Sequence, residues 1–396
     1  MIRLIKNAQV FAPRNLGKTD VLISGSRILK IDSNISLETI GAQECVEVVD
    51  ASGKIMVPGY VDTLVHITGG GGEGGFQTRT PEIEFDNIVR AGVTSLIGAL
   101  GTDATTRGLA DVYGKAMSLS QSGLNCFMYT GSYEVPVKTI TGSIKSDMIF
   151  IEPVIGVGEI AISDKRSSQP TPHELARIAS DAKVAGMIAG KTGIVMIHLG
   201  DEETCLESLH QAADQFAVAL SQFYPTHINR NRTLFEAGIE FAKQGGTIDF
   251  TTSTNDSILK SGEIRASQAL AKALQAGVPS DRLTMSSDAQ GSLPNFDEDG
   301  ILESLDVGAI DSLHNEMLRA VKSEGVEFSL ALSAITSNPA RVTGLHRKGQ
   351  LKQGSDADLN LLDSESLAIS SVMSRGHWLL QNDEMVAQTP FASAAT

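Results

Sequence analysis

Cysteine is scarce in this sequence: Cys45, Cys126 and Cys205 are all there is in 396 residues. An odd number without close-set pairs supports neither a disulfide framework nor a thiolate metal site, and a reducing compartment is the simplest reading. Positive charge is also short, with 32 Lys and Arg against 47 Asp and Glu, a net charge of −15. A broad basic surface for nucleic acid or anionic lipid is thereby disfavoured. Long apolar runs are missing: nowhere do about 18 uncharged apolar residues run together. Arg3 and Lys6 interrupt the first apolar stretch, and no signal-like h-region follows. A cytoplasmic protein that contacts neither membrane nor nucleic acid is expected. Aromatics make up only 5% while glycines number 38, which suits many tight strand-to-helix connections better than an aromatic-rich binding surface. What remains, 41% hydrophobic and 20% charged residues, is the composition of a chain that folds.

No internal repeat or low-complexity tract is evident. From Met1 to about Pro58 the text reads as short strands and turns: IRLIKNAQVF, TDVLISGSRILKID, VEVVDASGKIMVPG. From about Tyr60, apolar runs such as SLIGAL, GEIAIS, GIVMIHLG and LTMSSDA alternate with amphipathic segments such as HELARIASDAKVAGMIAG and TLFEAGIEFAKQGG. That alternation predicts βα units and a parallel sheet. Counting VPGYVDTLVH first, eight candidate strands precede about Ala289, the number a closed barrel needs. Strand-like text returns after about Lys348. The expectation is an α/β chain: a (β/α)8 TIM-type barrel over 58–347, and a small β-sandwich-like domain built from both chain ends, 1–57 plus 348–396. Each end alone is too short to bury a core.

Polar side chains close several of the apolar runs: His66, Glu159, His198, His227 and Asp288. In a barrel the C-terminal strand ends share one mouth, so residues distant in sequence converge there. Imidazole nitrogens with carboxylate oxygens suit zinc or a similar divalent ion, with positions left for water. A single His at a strand end is more often a satisfied polar group than a ligand; three such ends beside two acids carry the metal reading. His173, His210, His314, His346 and His377 fall on helices or outside the barrel and read as surface or structural residues. The glycine run at 69–75 lacks the GK[ST] ending of a phosphate cradle and reads as a mobile loop presenting Glu73 at the mouth. Arg166 in SDKRS and Arg230 in HINRN closely follow site residues. Guanidinium suits bidentate carboxylate recognition; the alternative is an ordinary surface arginine.

With these residues laid out, the chain resembles the amidohydrolase superfamily and, within it, the isoaspartyl (β-aspartyl) dipeptidases. The similarity runs essentially end to end and is carried by PGYVDTLVHITGGGGEGG, AGVTSLIGALGTD, TGSYEVP, SDKRS, MIHLGD, PTHINRN, GGTIDFTTS, SSDAQGS and GQLKQGSDADLNLLD. The resemblance implies a metal-dependent, homo-oligomeric peptidase for dipeptides joined through the aspartate side chain. By position, His198 and His227 would hold one metal, and His66 and Asp288 would help hold another. Glu73 would receive the substrate α-amino group, Tyr133 would polarise the scissile carbonyl, and Arg166, Arg230, Thr102 and Ser292 would anchor carboxylates and backbone. Asp288 would take the proton from the attacking water and return it to the leaving amine.

Two departures from the family pattern matter. Where the superfamily's first strand ends His-x-His, this chain reads Leu64-Val65-His66. Leucine has no lone pair, so the pocket of His66 and Asp288 is expected to bind its ion weakly or not at all. Where the family usually has a carboxylated lysine, alignment on AISD places Glu159, which also presents two oxygens, on a shorter arm. Two other readings share the barrel. One is a cyclic amidohydrolase of the hydantoinase or dihydroorotase kind, disfavoured because an amine-binding acid and two arginines describe a zwitterionic dipeptide. The other is a non-catalytic relative, favoured only by Leu64.

Overall fold

The computed structural model describes residues 1–36, 46–296 and 302–387. Cys45 lies outside them, whereas Cys126 and Cys205 are free, buried thiols. Among the described residues no helix is long and apolar enough to cross a membrane.

The first strands are β1 (Ile2–Phe11), β2 (Asn15–Ser24), β3 (Arg27–Asp32), β4 (Val46–Asp50) and β5 (Lys54–Pro58). They join the last ones, β16 (Leu359–Asp363), β17 (Ile369–Ser374), β18 (His377–Gln381) and β19 (Glu384–Met385), in a single nine-stranded sheet. The junction is the antiparallel pair β5 and β16, in register from Pro58 opposite Leu359 to Lys54 opposite Asp363. Ile5, Val21 and Ile28 from one half share a buried cluster with Leu359, Met373 and Trp378 from the other. The two chain ends thus enclose one core that neither half could bury alone.

Between them lies the (β/α)8 barrel. Its strands are β6 (Tyr60–Val65), β7 (Val93–Gly98), β8 (Asn125–Thr130), β9 (Val154–Ile162), β10 (Ile194–Leu199), β11 (Phe223–Thr226), β12 (Ile248–Thr251) and β13 (Leu283–Ser286). β6 to β11 form one parallel run and β12 and β13 another. The Ile228 amide donates to the Asp249 carbonyl at 3.2 Å, linking the runs. Asp288 N to Leu64 O at 3.1 Å and His66 N to Ala289 O at 2.9 Å close the ring between first and last strands. Both faces of each strand are buried, so its residues divide by parity. Leu64, Ile97, Tyr129, Met196 and Tyr224 fill the inside, while Val65, Leu96, Met128, Val195 and Phe223 belong to the larger core beneath the helices.

The helix Pro172–Ala189 illustrates the local coding. Thr171 Oγ1 accepts from the Glu174 amide, Glu174 Oε2 accepts from the Thr171 amide, proline takes the first position, and Gly190 ends the helix at φ 67°. A hairpin not read from the sequence, β14 (Ser292–Phe296) with β15 (Leu302–Val307), follows the last barrel strand. Barrel and end sheet meet at a buried ionic cluster. Lys348 Nζ lies 2.7 Å from Asp356, 2.8 Å from Asp358 and 2.7 Å from the Asn125 side-chain oxygen on β8.

Candidate active site

The strands bring the chemistry to one end of the barrel. Glu159 lies within β9 and His198 within β10, while His66, His227 and Asp288 come one or two residues after their strands stop. His227 and Asp288 adopt left-handed backbone, at φ 61° and 52°. Non-glycine residues adopt it at a cost, and such conformations gather at functional sites.

Glu159 is the hub. It is fully buried, with Oε2 3.1 Å from His198 Nδ1 and 3.8 Å from His227 Nε2, and Oε1 3.5 Å from His66 Nε2. Burial pushes its carboxyl up, but the His198, His227 and His66 imidazoles outweigh that and hold it well below the usual carboxylate range. Burial, with His198 and Arg230 nearby, draws His227 down to about 4, so its imidazole is neutral and able to ligate. Glu159, His198 and His227 are the one group of potential ligands among the described residues whose donor atoms all lie within 4.8 Å of one another. His66 instead faces Asp288, its Nε2 3.1 Å from Oδ1. Burial pulls the His66 imidazole down, yet Asp288 and Glu159 more than offset this and raise it to about 9.

Two observations fit a cation at this hub. Glu159 Oε1 is a buried oxygen with no hydrogen-bond partner among the described residues, its neighbour His66 Nε2 standing 3.5 Å away, and Asp288 Oδ1 meets only that same His66 nitrogen, a costly state for buried carboxylates. Two glycines keep the space open: a Cβ at Gly101 would stand 3.0 Å from His66 Cε1, and one at Gly291 would stand 3.0 Å from both Asp288 carboxylate oxygens. The donor set of two imidazoles and a carboxylate matches a catalytic zinc with one position open. Leu64, by contrast, is fully buried inside the barrel and turned into its apolar filling.

Above the hub sits a polar rim. Glu73 Oε1 accepts from Thr102 Oγ1 at 2.9 Å and Arg166 Nη1 at 3.2 Å, and its Oε2 lies 3.4 Å from Ser292 Oγ. Thr102, Arg166 and Ser292, all expected at the substrate, therefore converge on the Glu73 carboxylate. The glycine loop is braced rather than hanging free, with Gly70 N donating to Thr80 Oγ1 at 2.7 Å and Gly72 N to the Thr78 carbonyl at 3.2 Å. The Tyr133 hydroxyl lies 2.8 Å from His198 Nδ1, and burial among carboxylates raises its pKa, so it remains a donor. Arg230 comes three residues after His227, its amide donating to the His227 carbonyl at 3.0 Å, and its Nε is buried without a partner among the described residues.

One residue escaped the sequence reading. Asp164, two positions before Arg166, is buried and lies 3.1 Å from His198 Nε2 and 2.7 Å from Arg166 Nη2. Its only signal in the sequence is its place in SDKRS, two residues ahead of Arg166.

The pattern of the amidohydrolase family matches residues 55–379, and the chain belongs to that family. The crystal structure of the β-aspartyl dipeptidase from the thermophilic, keratin-degrading Fervidobacterium islandicum, in complex with β-Asp-Leu dipeptide, is 44% identical. The match covers 99% of this chain and 100% of that one, with a TM-score of 0.91. The dihydropyrimidinase of Brevibacillus agri shares 16% identity over 98% of this chain and 96% of that one at a TM-score of 0.67, a likeness of fold alone. Among curated relatives, a dihydroorotase of Staphylococcus epidermidis is 39% identical over 72 residues, 18% of this chain and 16% of that protein. The chain thus spans only a small part of that relative's length.

Proposed function

We propose that this member of the amidohydrolase family is a metal-dependent isoaspartyl dipeptidase, hydrolysing the bond between the aspartate side-chain carboxyl and the next residue. The observation that carries the proposal is the Glu73 rim, where one acid, one arginine and two hydroxyls meet above the Glu159, His198 and His227 group. A similar protein at 44% identity has been crystallised with β-Asp-Leu, which supports the substrate class.

Glu159, His198 and His227 would hold one divalent ion, which we take to be zinc. Such an ion lowers the pKa of water to about 7 and polarises an amide carbonyl. The remaining work falls to side chains. Glu73 receives the substrate α-ammonium, and Thr102 and Ser292 orient that carboxylate. Arg166 and Arg230 bind the two substrate carboxylates, for which paired guanidinium donors are suited. The Tyr133 hydroxyl donates to the scissile carbonyl oxygen as negative charge develops there. Asp288, partly open to the mouth, takes the proton of the attacking water and hands it to the departing amine. His66, paired with Asp288 at 3.1 Å, orients that carboxylate. We further propose that 1–57 with 348–396 and 58–347 are the chain's two units, and that the protein is a cytoplasmic homo-oligomer.

The test is an assay of the purified protein, with its metal content measured, on β-Asp-Leu, α-Asp-Leu and dihydroorotate. Cleavage confined to β-Asp-Leu, lost to a chelator and restored by zinc, is expected. Ring opening of dihydroorotate with no dipeptide cleavage would replace this reading with the cyclic amidohydrolase one.

A further inference from the structure

The loop after β9 carries Asp164, whose carboxylate lies between two parts of the site. Oδ2 is 3.1 Å from His198 Nε2 and 2.7 Å from Arg166 Nη2, while Oδ1 accepts from Arg166 Nε at 2.9 Å and from the Arg166 amide at 2.7 Å. The two-oxygen grip on the guanidinium is the bidentate geometry that fixes an arginine in one orientation. Asp164 is buried, and both of its carboxylate oxygens are engaged by these nitrogens. His198 in turn shows its other nitrogen, Nδ1, to Glu159. A hydrogen on Nε2 given to Asp164 leaves the Nδ1 lone pair facing the ligand group, and the ring cannot rotate without breaking that bond.

We propose that Asp164 is a positioning residue that couples metal binding to substrate binding. It fixes the tautomer and orientation of His198 for the ion, and with the same carboxylate it aims Arg166 at the substrate carboxylate. The proposal rests on the dipeptidase reading for its substrate half alone. Arg166 also contacts Glu73 at 3.2 Å, so an Arg166 that loses its anchor would disturb the amine-binding acid as well.

The experiment compares wild type with Asp164→Asn and Asp164→Glu. Zinc affinity of the metal-free proteins is measured by competition with a chromophoric chelator, KM and kcat on β-Asp-Leu are measured at saturating zinc, and thermal unfolding is followed for all three. The expected result is a zinc Kd raised about 10–100-fold in Asp164→Asn, in line with the loss of other carboxylate partners of metal-bound histidines. KM should rise by a larger factor than kcat falls, and Asp164→Glu should restore part of both. A merely structural aspartate would lower the unfolding temperature and leave zinc Kd and KM in place. A folded Asp164→Asn with both quantities within twofold of wild type overturns the proposal, and a shift in only one of them overturns the coupling. If Asp164→Asn does not fold, Asp164→Glu decides by the same two quantities. If wild type does not cleave β-Asp-Leu, the dipeptidase reading fails, while the zinc comparison still tests Asp164 against His198.

Discussion

Leu64 and His66 stand two residues apart at the end of the first barrel strand and serve opposite purposes. Leu64 is fully buried in the apolar filling of the barrel with Ile97 and Tyr129, whereas His66 Nε2 reaches to 3.1 Å from Asp288 Oδ1. The place of a second histidine ligand is thus taken by packing, and His66 and Asp288 pair with each other. Wild type is expected to bind one zinc per chain. In Leu64→His an imidazole without a partner enters an apolar cluster, which costs roughly 1–3 kcal/mol. The metal-free variant should unfold at a lower temperature, and zinc should recover the loss while raising the stoichiometry toward two. Elemental analysis and thermal unfolding with and without zinc check this; two tightly held ions in wild type would show Leu64 to be no obstacle.

Glu73→Gln should weaken the enzyme mainly on substrates with a free α-amino group. A charge-assisted hydrogen bond worth roughly 1.5–3 kcal/mol becomes a neutral one, a loss of about 10–100-fold in kcat/KM. The comparison is between β-Asp-Leu and its N-acetyl derivative. Equal losses on both would remove Glu73 from amine binding.

Lys348→Met should destabilise the protein by about 3–5 kcal/mol, because Asp356 and Asp358 would lose their shared buried ammonium, and breaking one side of such a pair is costly. Arg27 at 2.5 Å from Asp356 softens the loss on that side. Urea unfolding of wild type and variant measures it, and a change below 1 kcal/mol would mean that water or Arg347 has replaced the lysine.

Acid should weaken the fold through His314. The imidazole is buried and takes the Tyr60 hydroxyl at 2.9 Å on Nδ1; burial first, with Lys322 adding to it, draws its pKa from 6.5 to about 4. The unfolded chain takes up the proton first, so this stability is complete above about pH 6.5 and is lost as the pH falls to about 4, on the order of 3 kcal/mol in all. His314→Gln removes the titrating group. The difference in unfolding free energy between wild type and variant should be constant above pH 7 and shift against wild type by pH 4.5. A difference flat across that range would show that His314 titrates normally.

The sequence by itself determined the eight parallel strands, the return of the chain end to the first sheet, and the ends at which His66, Glu159, His198, His227 and Asp288 stand. These follow from the two-residue period of strands, the turn chemistry between elements and the common direction of the barrel strands, all of which are local or topological. Resemblance to known relatives added Tyr133, Thr102, Ser292 and the substrate role of Glu73, which no periodicity marks. The same resemblance set His198 and His227 apart from His66 and Asp288; only the tertiary structure supplied the contacts within those groups, Glu159 Oε2 3.1 Å from His198 and His66 Nε2 3.1 Å from Asp288, and showed that Leu64 belongs to the barrel filling and that Asp164 holds His198 and Arg166 together. Those outcomes depend on side-chain reach across strands whose neighbours are tens or hundreds of residues away, set by barrel closure between Leu64 and Asp288. Period and pattern fix which face a residue occupies; which partner it meets there is fixed by packing.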